Sequence, residues 1–201
     1  MRLSRTLVVA TVATASFLTL PWSALPVAAA PPDDAFDWIE AELAANDGAM
    51  PSTFGGTDWG LTLDAVIALE AGGRGDSEAV TTAVEAFTAS AGDYVTGEAF
   101  MDVGSAYAGA VGKSLFALGL LGIDVSDVDG YDLPQMSRDA VQDSGIHAGR
   151  FSDVSGFGDY SNGFGQAFNI MGLGAADVDV PAASIEFLLE QQCPAGSFRL
   201  T

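Results

Sequence analysis

The sequence predicts an all-α fold built as a stack of helical hairpins, and three observations carry that expectation. One pattern occurs three times at a period near fifty residues, amphipathic segments of helical period alternate with its copies, and the connecting segments are rich in Gly and Asp. A lone helix pair cannot bury its own apolar face, whereas stacked pairs share a core.

Taken in order, the chain begins with Arg2 and Arg5, an apolar run from Leu7 to Leu20, Pro21, and the small residues Val27-Ala28-Ala29-Ala30. That is the three-part layout of a secretory signal, with cleavage expected after Ala29 or Ala30 and a secreted or cell-surface location. The apolar run is short for a bilayer span of ~20 residues. Arg2 and Arg5 are not adjacent, which argues against a twin-arginine signal, and no Cys follows the run to accept a lipid. Residues 31–201 hold five basic residues and all 27 acidic ones, a formal charge of −22. Nucleic acid is excluded as a partner, because phosphate binding needs a basic face, and an anionic membrane surface is equally unfavourable. Cys193 is the only cysteine, so no intramolecular disulfide can form, and a partly buried, inert thiol is expected.

Residues 35–45 show one-sided helical patterning and are read as an outer helix. The first copy of the repeated pattern follows, Trp59-Gly-Leu-Thr-Leu-Asp64 running on to Leu69, as an inner helix. Residues 77–89 give the next outer helix, and the second copy runs from Tyr107 through Lys113 to Leu118. Residues 133–142 are outer again, the third copy runs from Tyr160 through Gln166 to Met171, and residues 181–192 close the series. In each copy an aromatic residue stands five or six positions before a polar one, and positions 64, 113 and 166 lie 49 and 53 residues apart. The segment 103–123 is apolar except for Lys113, yet its glycines and its equivalence to the other copies predict a buried inner helix rather than a membrane span. Asp124 to Asp132 superficially matches a calcium loop. Val125 and Met136 fall where its first ligand and closing Glu belong, so a solvated turn is expected.

The turns after the outer helices carry a second signal, Gln192-Cys-Pro-Ala-Gly196-Ser-Phe198 and Gly149-Arg-Phe151, with degenerate copies near Gly48 to Phe54 and Gly97 to Phe100. This Gln-x3-Gly-x-aromatic pattern resembles the repeat of the squalene-cyclase and prenyltransferase superfamily. The run Gly149 to Phe198, with Asp159-Tyr-Ser-Asn and Gln191-Gln-Cys-Pro, is similar to secreted actinobacterial prenyltransferase/squalene-oxidase repeat proteins. The resemblance implies an α/α toroid, an inner ring of parallel helices inside an outer ring. About three and a half hairpins are expected where a closed ring takes about six, so residues 31–201 are expected to form an incomplete, C-terminally truncated ring.

Cyclases of that superfamily that protonate an alkene use Asp-x-Asp-Asp. Asp127-Val-Asp129 and Asp177-Val-Asp179 lack the final carboxylate and fall in expected turns. The protein-prenylating relatives bind zinc through Asp, Cys and His, but Cys193 and His147 share no metal-ligand spacing. Gly112-Lys113-Ser114 lacks the upstream glycine of a phosphate loop. No catalytic residue, metal or cofactor is therefore assigned. Asp64, Lys113 and Gln166, one per inner helix, are the candidate polar floor of a central pocket, with Trp59, Tyr107 and Tyr160 as its aromatic walls. The alternative for the polar set is an Asp64–Lys113 ion pair with Gln166 satisfying backbone. The expected function is a non-catalytic binding module for a small molecule, a glycan or a protein. The competing expectation is a terpenoid cyclase or prenyltransferase-like enzyme whose catalytic residues are missing or lie beyond this sequence.

Overall fold

The computed structural model describes residues 33–200, and over that span the chain is all α, with isolated β-bridges in place of strands. The expected signal segment lies outside the described residues. Eight α-helices follow in order: α1 Asp33–Ala45, α2 Trp59–Ala71, α3 Glu78–Thr88, α4 Gly92–Val95, α5 Ala108–Leu120, α6 Leu133–Asp139, α7 Gly163–Ala175 and α8 Ala182–Glu190.

Capping chemistry sets most of the starts. Asp58, Ser77 and Asp132 each accept a hydrogen bond from the backbone N–H three residues on, at Leu61, Val80 and Gln135. Each bond satisfies one of the donors that a helix start leaves without a partner, worth ~1 kcal/mol. Pro134 fits the first turn of α6, and Pro181 directly precedes α8. The expected helix over 133–142 ends early, at Asp139. Ala140 and Gln142 exchange backbone hydrogen bonds with Gly149, Arg150 and Ser152 instead, and this pairing brings Phe151 back into the core.

The long helices divide into two layers. Helices α5 and α7 lie side by side and parallel, since Gly109 meets Gly165 near their starts and Gly119 meets Ala175 near their ends. The contact needs glycine: a Cβ on Gly112 would stand 2.6 Å from the Asn169 nitrogen, and one on Gly172 would stand 2.6 Å from the Leu115 Cβ. The glycines that weaken residues 103–123 as an isolated helix are thus what let two helices approach. Helix α2 joins the same layer, its start near Lys113 and the turn after its end near Leu121.

Helices α1, α3, α6 and α8 cover the other side of that layer. One core packs Phe36, Leu43, Leu69 and Val80, and a second packs Leu63, Phe87, Leu118, Leu133 and Leu173. Each such side chain stabilises the fold by roughly 1.5–3 kcal/mol on full burial. The turn after α1 meets α3, and the turn after α6 meets α8, through the same kind of contact. Gly48 and Gly149 both adopt positive φ and press against the helix ahead, where a Cβ would lie 2.6 Å from the Thr82 carbonyl oxygen and 2.1 Å from that of Ala183. The offset is the same in both, from 48 to 82 and from 149 to 183, whereas Gly97 in the turn between them faces Tyr107 and Asp102 instead.

Candidate functional site

Each long inner helix is best counted from its cap, because the cap fixes where the helical turn begins. The caps are Asp58, Tyr107 and Asn162. Six residues on stand Asp64, Lys113 and Phe168, and these three meet. The Lys113 ammonium lies 2.8 Å from a carboxylate oxygen of Asp64 and 5.5 Å from the centre of the Phe168 ring. It also points a hydrogen bond at the Gly60 carbonyl, 3.4 Å away. The Lys113 side chain is 17% exposed and that of Asp64 50%, so water screens the pair to about 0.5–1 kcal/mol. The ring face adds an attraction of similar size. Phe116 extends the contact, its ring centre 5.9 Å from that of Phe168.

Gln166, which the sequence places level with Asp64 and Lys113, stands elsewhere. It is the fourth residue after its cap, equivalent to Thr62 and Val111, and it is buried toward the outer layer. Its carbonyl oxygen accepts from the Phe151 N–H at 2.9 Å, while its NH2 donates to the carbonyls of Gly149 at 3.0 Å and Ser184 at 2.9 Å. Thr62 does the matching job one end of the chain earlier, its hydroxyl accepting from the Met50 N–H at 2.8 Å. Counting from the aromatic residues displaces Gln166 by two positions. Trp59 follows its cap and Tyr107 is its cap, but Tyr160 precedes Asn162 by two. Asn162 wins the cap because its side-chain oxygen accepts from both Phe164 and Gly165 N–H, which a phenol in that place does not do.

The three aromatic residues form no common wall. Trp59 packs edge-on against Phe87 at 5.8 Å, within the core. Tyr107 reaches the Gly97 turn beside Asp102, whose carboxylate accepts from Ser155 Oγ at 2.6 Å and from the Gly156 N–H at 2.9 Å. The Ser155 hydroxyl above all, with the Gly156 N–H, holds the Asp102 carboxyl below the usual carboxylate range. Tyr160 is 75% exposed.

Three residues not singled out from sequence organise the inner layer. Asn169 is fully buried, and its NH2 donates to the carbonyls of Ala108 on α5 and Gly165 on its own helix, both at 2.8 Å. Its oxygen accepts the Ser137 hydroxyl of α6 at 2.7 Å. Asp153 caps α5 from outside the helix, accepting the Ala108 N–H at 2.8 Å and the Tyr160 N–H at 3.1 Å. Burial pushes its carboxyl up, against the opposing pull of those two bonds. Tyr94 lies in a partly buried site behind α2, where burial first, and then Asp64 and Asp58, push its phenol up to about 12. A polar residue inside an apolar run is the one sequence signal that could have marked Asn169.

The rest of the inner layer's free side follows the helical period. The second, sixth, ninth and thirteenth residues after each cap are Gly60, Asp64, Ile67 and Ala71; Gly109, Lys113, Phe116 and Leu120; and Phe164, Phe168, Met171 and Ala175. Every one of these twelve is exposed or half-buried. The result is an apolar face with a single neutralised ion pair at its centre. Among the described residues no group of three His, Cys, Asp or Glu side chains converges to hold a metal ion. Asp129 and Asp177 lie in turns with positive φ, and Asp129 is occupied by the Gly92 N–H. Among the described residues no helix is long and apolar enough to cross a membrane.

No family model, no curated protein and no solved structure gives a significant match to the chain.

Proposed function

We propose that this chain is a secreted or cell-surface binding module built on an incomplete α/α toroid, and that its ligand rests on the free side of α2, α5 and α7. The single observation that supports this most is the row of twelve half-buried or exposed residues at matching positions on three parallel helices. Phe164, Met171 and Leu120 are 70%, 43% and 39% exposed there, a cost in water that a ligand would relieve. The parallel order of the inner helices and the Gly48 and Gly149 contacts support the toroid reading and the resemblance to prenyltransferase/squalene-oxidase repeat proteins. Asp64 is ion-paired to Lys113 and has no second carboxylate on the same face, which favours binding over alkene protonation.

A neutral apolar probe, Nile red, tests this. Its fluorescence should rise on the native protein and fall in a Phe164→Ser/Met171→Ser variant that melts at the same temperature. Unchanged probe binding in that variant would remove the face from consideration. Turnover of an isoprenoid diphosphate or of squalene by the purified protein would transfer the argument to the cyclase or prenyltransferase alternative. Sequencing the N-terminus of exported protein tests cleavage after Ala29 or Ala30.

A further inference from the structure

The scarce positive charge of this chain is unevenly placed. Outside the first thirty residues there are five cationic side chains: Arg74, Lys113, Arg138, Arg150 and Arg199. Arg74 is consumed by Asp33, Asp37 and Glu40, and Lys113 by Asp64. Arg150, Arg199 and His147, the only histidine, line one cleft of about 320 Å³ between the 145–150 turn, the start of α7 and the end of α8. Glu190 is the one acidic residue of the lining, and Ile146, Phe187 and Leu200 supply an apolar wall.

Arg150 is positioned before any ligand arrives. Its side chain is 21% exposed, and its Nη2 donates to the Ser161 carbonyl at 2.7 Å and pairs loosely with Asp159 at 3.5 Å, so the other guanidinium nitrogens keep their N–H donors for a ligand. Arg199 is tied to the Glu190 carbonyl at 3.0 Å. Ser161 is 5% exposed, and its hydroxyl, though near enough to Asp159 to help keep that carboxyl low, has no partner at hydrogen-bonding distance and angle. A buried hydroxyl in that state is rare in a finished structure and needs an explanation. The first N–H groups of α7, a thirteen-residue helix, are already bonded, Gly163 to the Leu200 carbonyl and Phe164 and Gly165 to Asn162, so the helix adds only the positive end of its dipole there.

We propose that this cleft binds a small organic oxyanion, a carboxylate or phosphate group on a short apolar body. The anionic head sits between Arg150 and Arg199 beside Ser161, and the body lies against Phe187 and Leu200. In a chain of net charge −20 an anion is repelled from nearly every other surface, so two guanidiniums on one cleft single it out. Arginine suits the task because its planar fork matches both carboxylate and phosphate. The site is separate from the free face of the inner helices: Gln166 lines the cleft and Phe168 the face, roughly 160° apart around α7.

A heteronuclear NMR titration of the full chain with benzoate, phenyl phosphate, inorganic phosphate and benzyl alcohol tests the proposal. Benzoate or phenyl phosphate should shift the signals of Ser161, Gly163 and Arg199 saturably, and the tighter of the two tells carboxylate from phosphate. Inorganic phosphate should bind more weakly, for want of the apolar body. The exposed Arg199→Gln variant should weaken binding about tenfold, the effect of losing one charge-assisted hydrogen bond, while Arg138→Gln makes the same change in net charge elsewhere and should leave affinity within about twofold. Both variants should keep the native circular dichroism and melting temperature. Absence of saturable shifts up to about 10 mM, equal weakening by the two variants, or benzyl alcohol binding as tightly as benzoate would each overturn the proposal.

Discussion

The side-chain NH2 of Asn169 on α7 donates to the carbonyl of Ala108 on α5 at 2.8 Å, where Gly112 lets the two helices come close. The same amide spends its other hydrogen on Gly165, and its oxygen accepts from Ser137, so one buried side chain fastens three elements with both donors used and its oxygen paired. A polar group without partners in that position would cost several kcal/mol, which is why full satisfaction matters more than the number of bonds.

Asn169→Ala should therefore destabilise the protein by about 2–4 kcal/mol, combining a cavity with an unpaired Ser137 hydroxyl. Gly112→Ala should act in the same range by a different route, because its Cβ would stand 2.6 Å from the Asn169 backbone nitrogen and force the helices apart. Urea unfolding measures both. A change below about 0.5 kcal/mol in either variant would mean that α5 and α7 do not pack at this distance.

The all-α class and the positions of the helical segments were legible in the sequence because they depend on a local signal, the apolar period. The register of the third inner helix was not. Tyr160 carries the repeated aromatic residue, but the helix starts where Asn162 can bond Phe164 and Gly165, and this two-residue difference moves Phe168, not Gln166, beside Lys113. The Asp153 cap on Ala108 spans 45 residues, and no window of the sequence contains both partners. The free face of the inner layer was legible only in part, through Asp64 and Lys113. Its aromatic members Phe116, Phe164 and Phe168 read as ordinary core residues until the outer helices are seen to cover only one side.

Lys113 holds Asp64 and Phe168 at one level, and the strength of that junction is measurable. A double-mutant cycle of Asp64→Asn with Lys113→Met should give a coupling of about 0.5–1 kcal/mol, limited by the half-exposed carboxylate. Raising the salt from about 0.05 to 1 M should shrink it, since the Debye length falls toward 3 Å. Additive effects would show that the two charges do not interact and would leave the centre of the face without its ion pair. A second cycle, Lys113→Met with Phe168→Leu, isolates the ring contact, with an expected coupling of about 0.5–1 kcal/mol that salt affects less.

Tyr94 provides a test of burial behind α2 that needs no ligand. Its phenol is pushed up to about 12, first by burial and then by the negative charges of Asp64 and Asp58, while in the unfolded chain it titrates near 10. Between those two values the unfolded state releases a proton that the folded state keeps. The unfolded state thus binds fewer protons, and stability falls as pH rises through that window. Two units correspond to about 2–3 kcal/mol lost between pH 10 and 12, with no contribution from this group below pH 9. Tyr94→Phe removes the titrating group while keeping the ring that packs 6.3 Å from Phe87, so its stability at pH 7 should change by less than about 1 kcal/mol. The difference between wild type and variant should then grow with pH above 10, in favour of the variant. Ultraviolet titration of the phenol in the two proteins assigns the step. If Tyr94→Phe loses stability above pH 10 as steeply as the wild type, the phenol ionises as freely in the folded protein as in the unfolded chain, and the buried site described for it beside Asp58 and Asp64 is wrong.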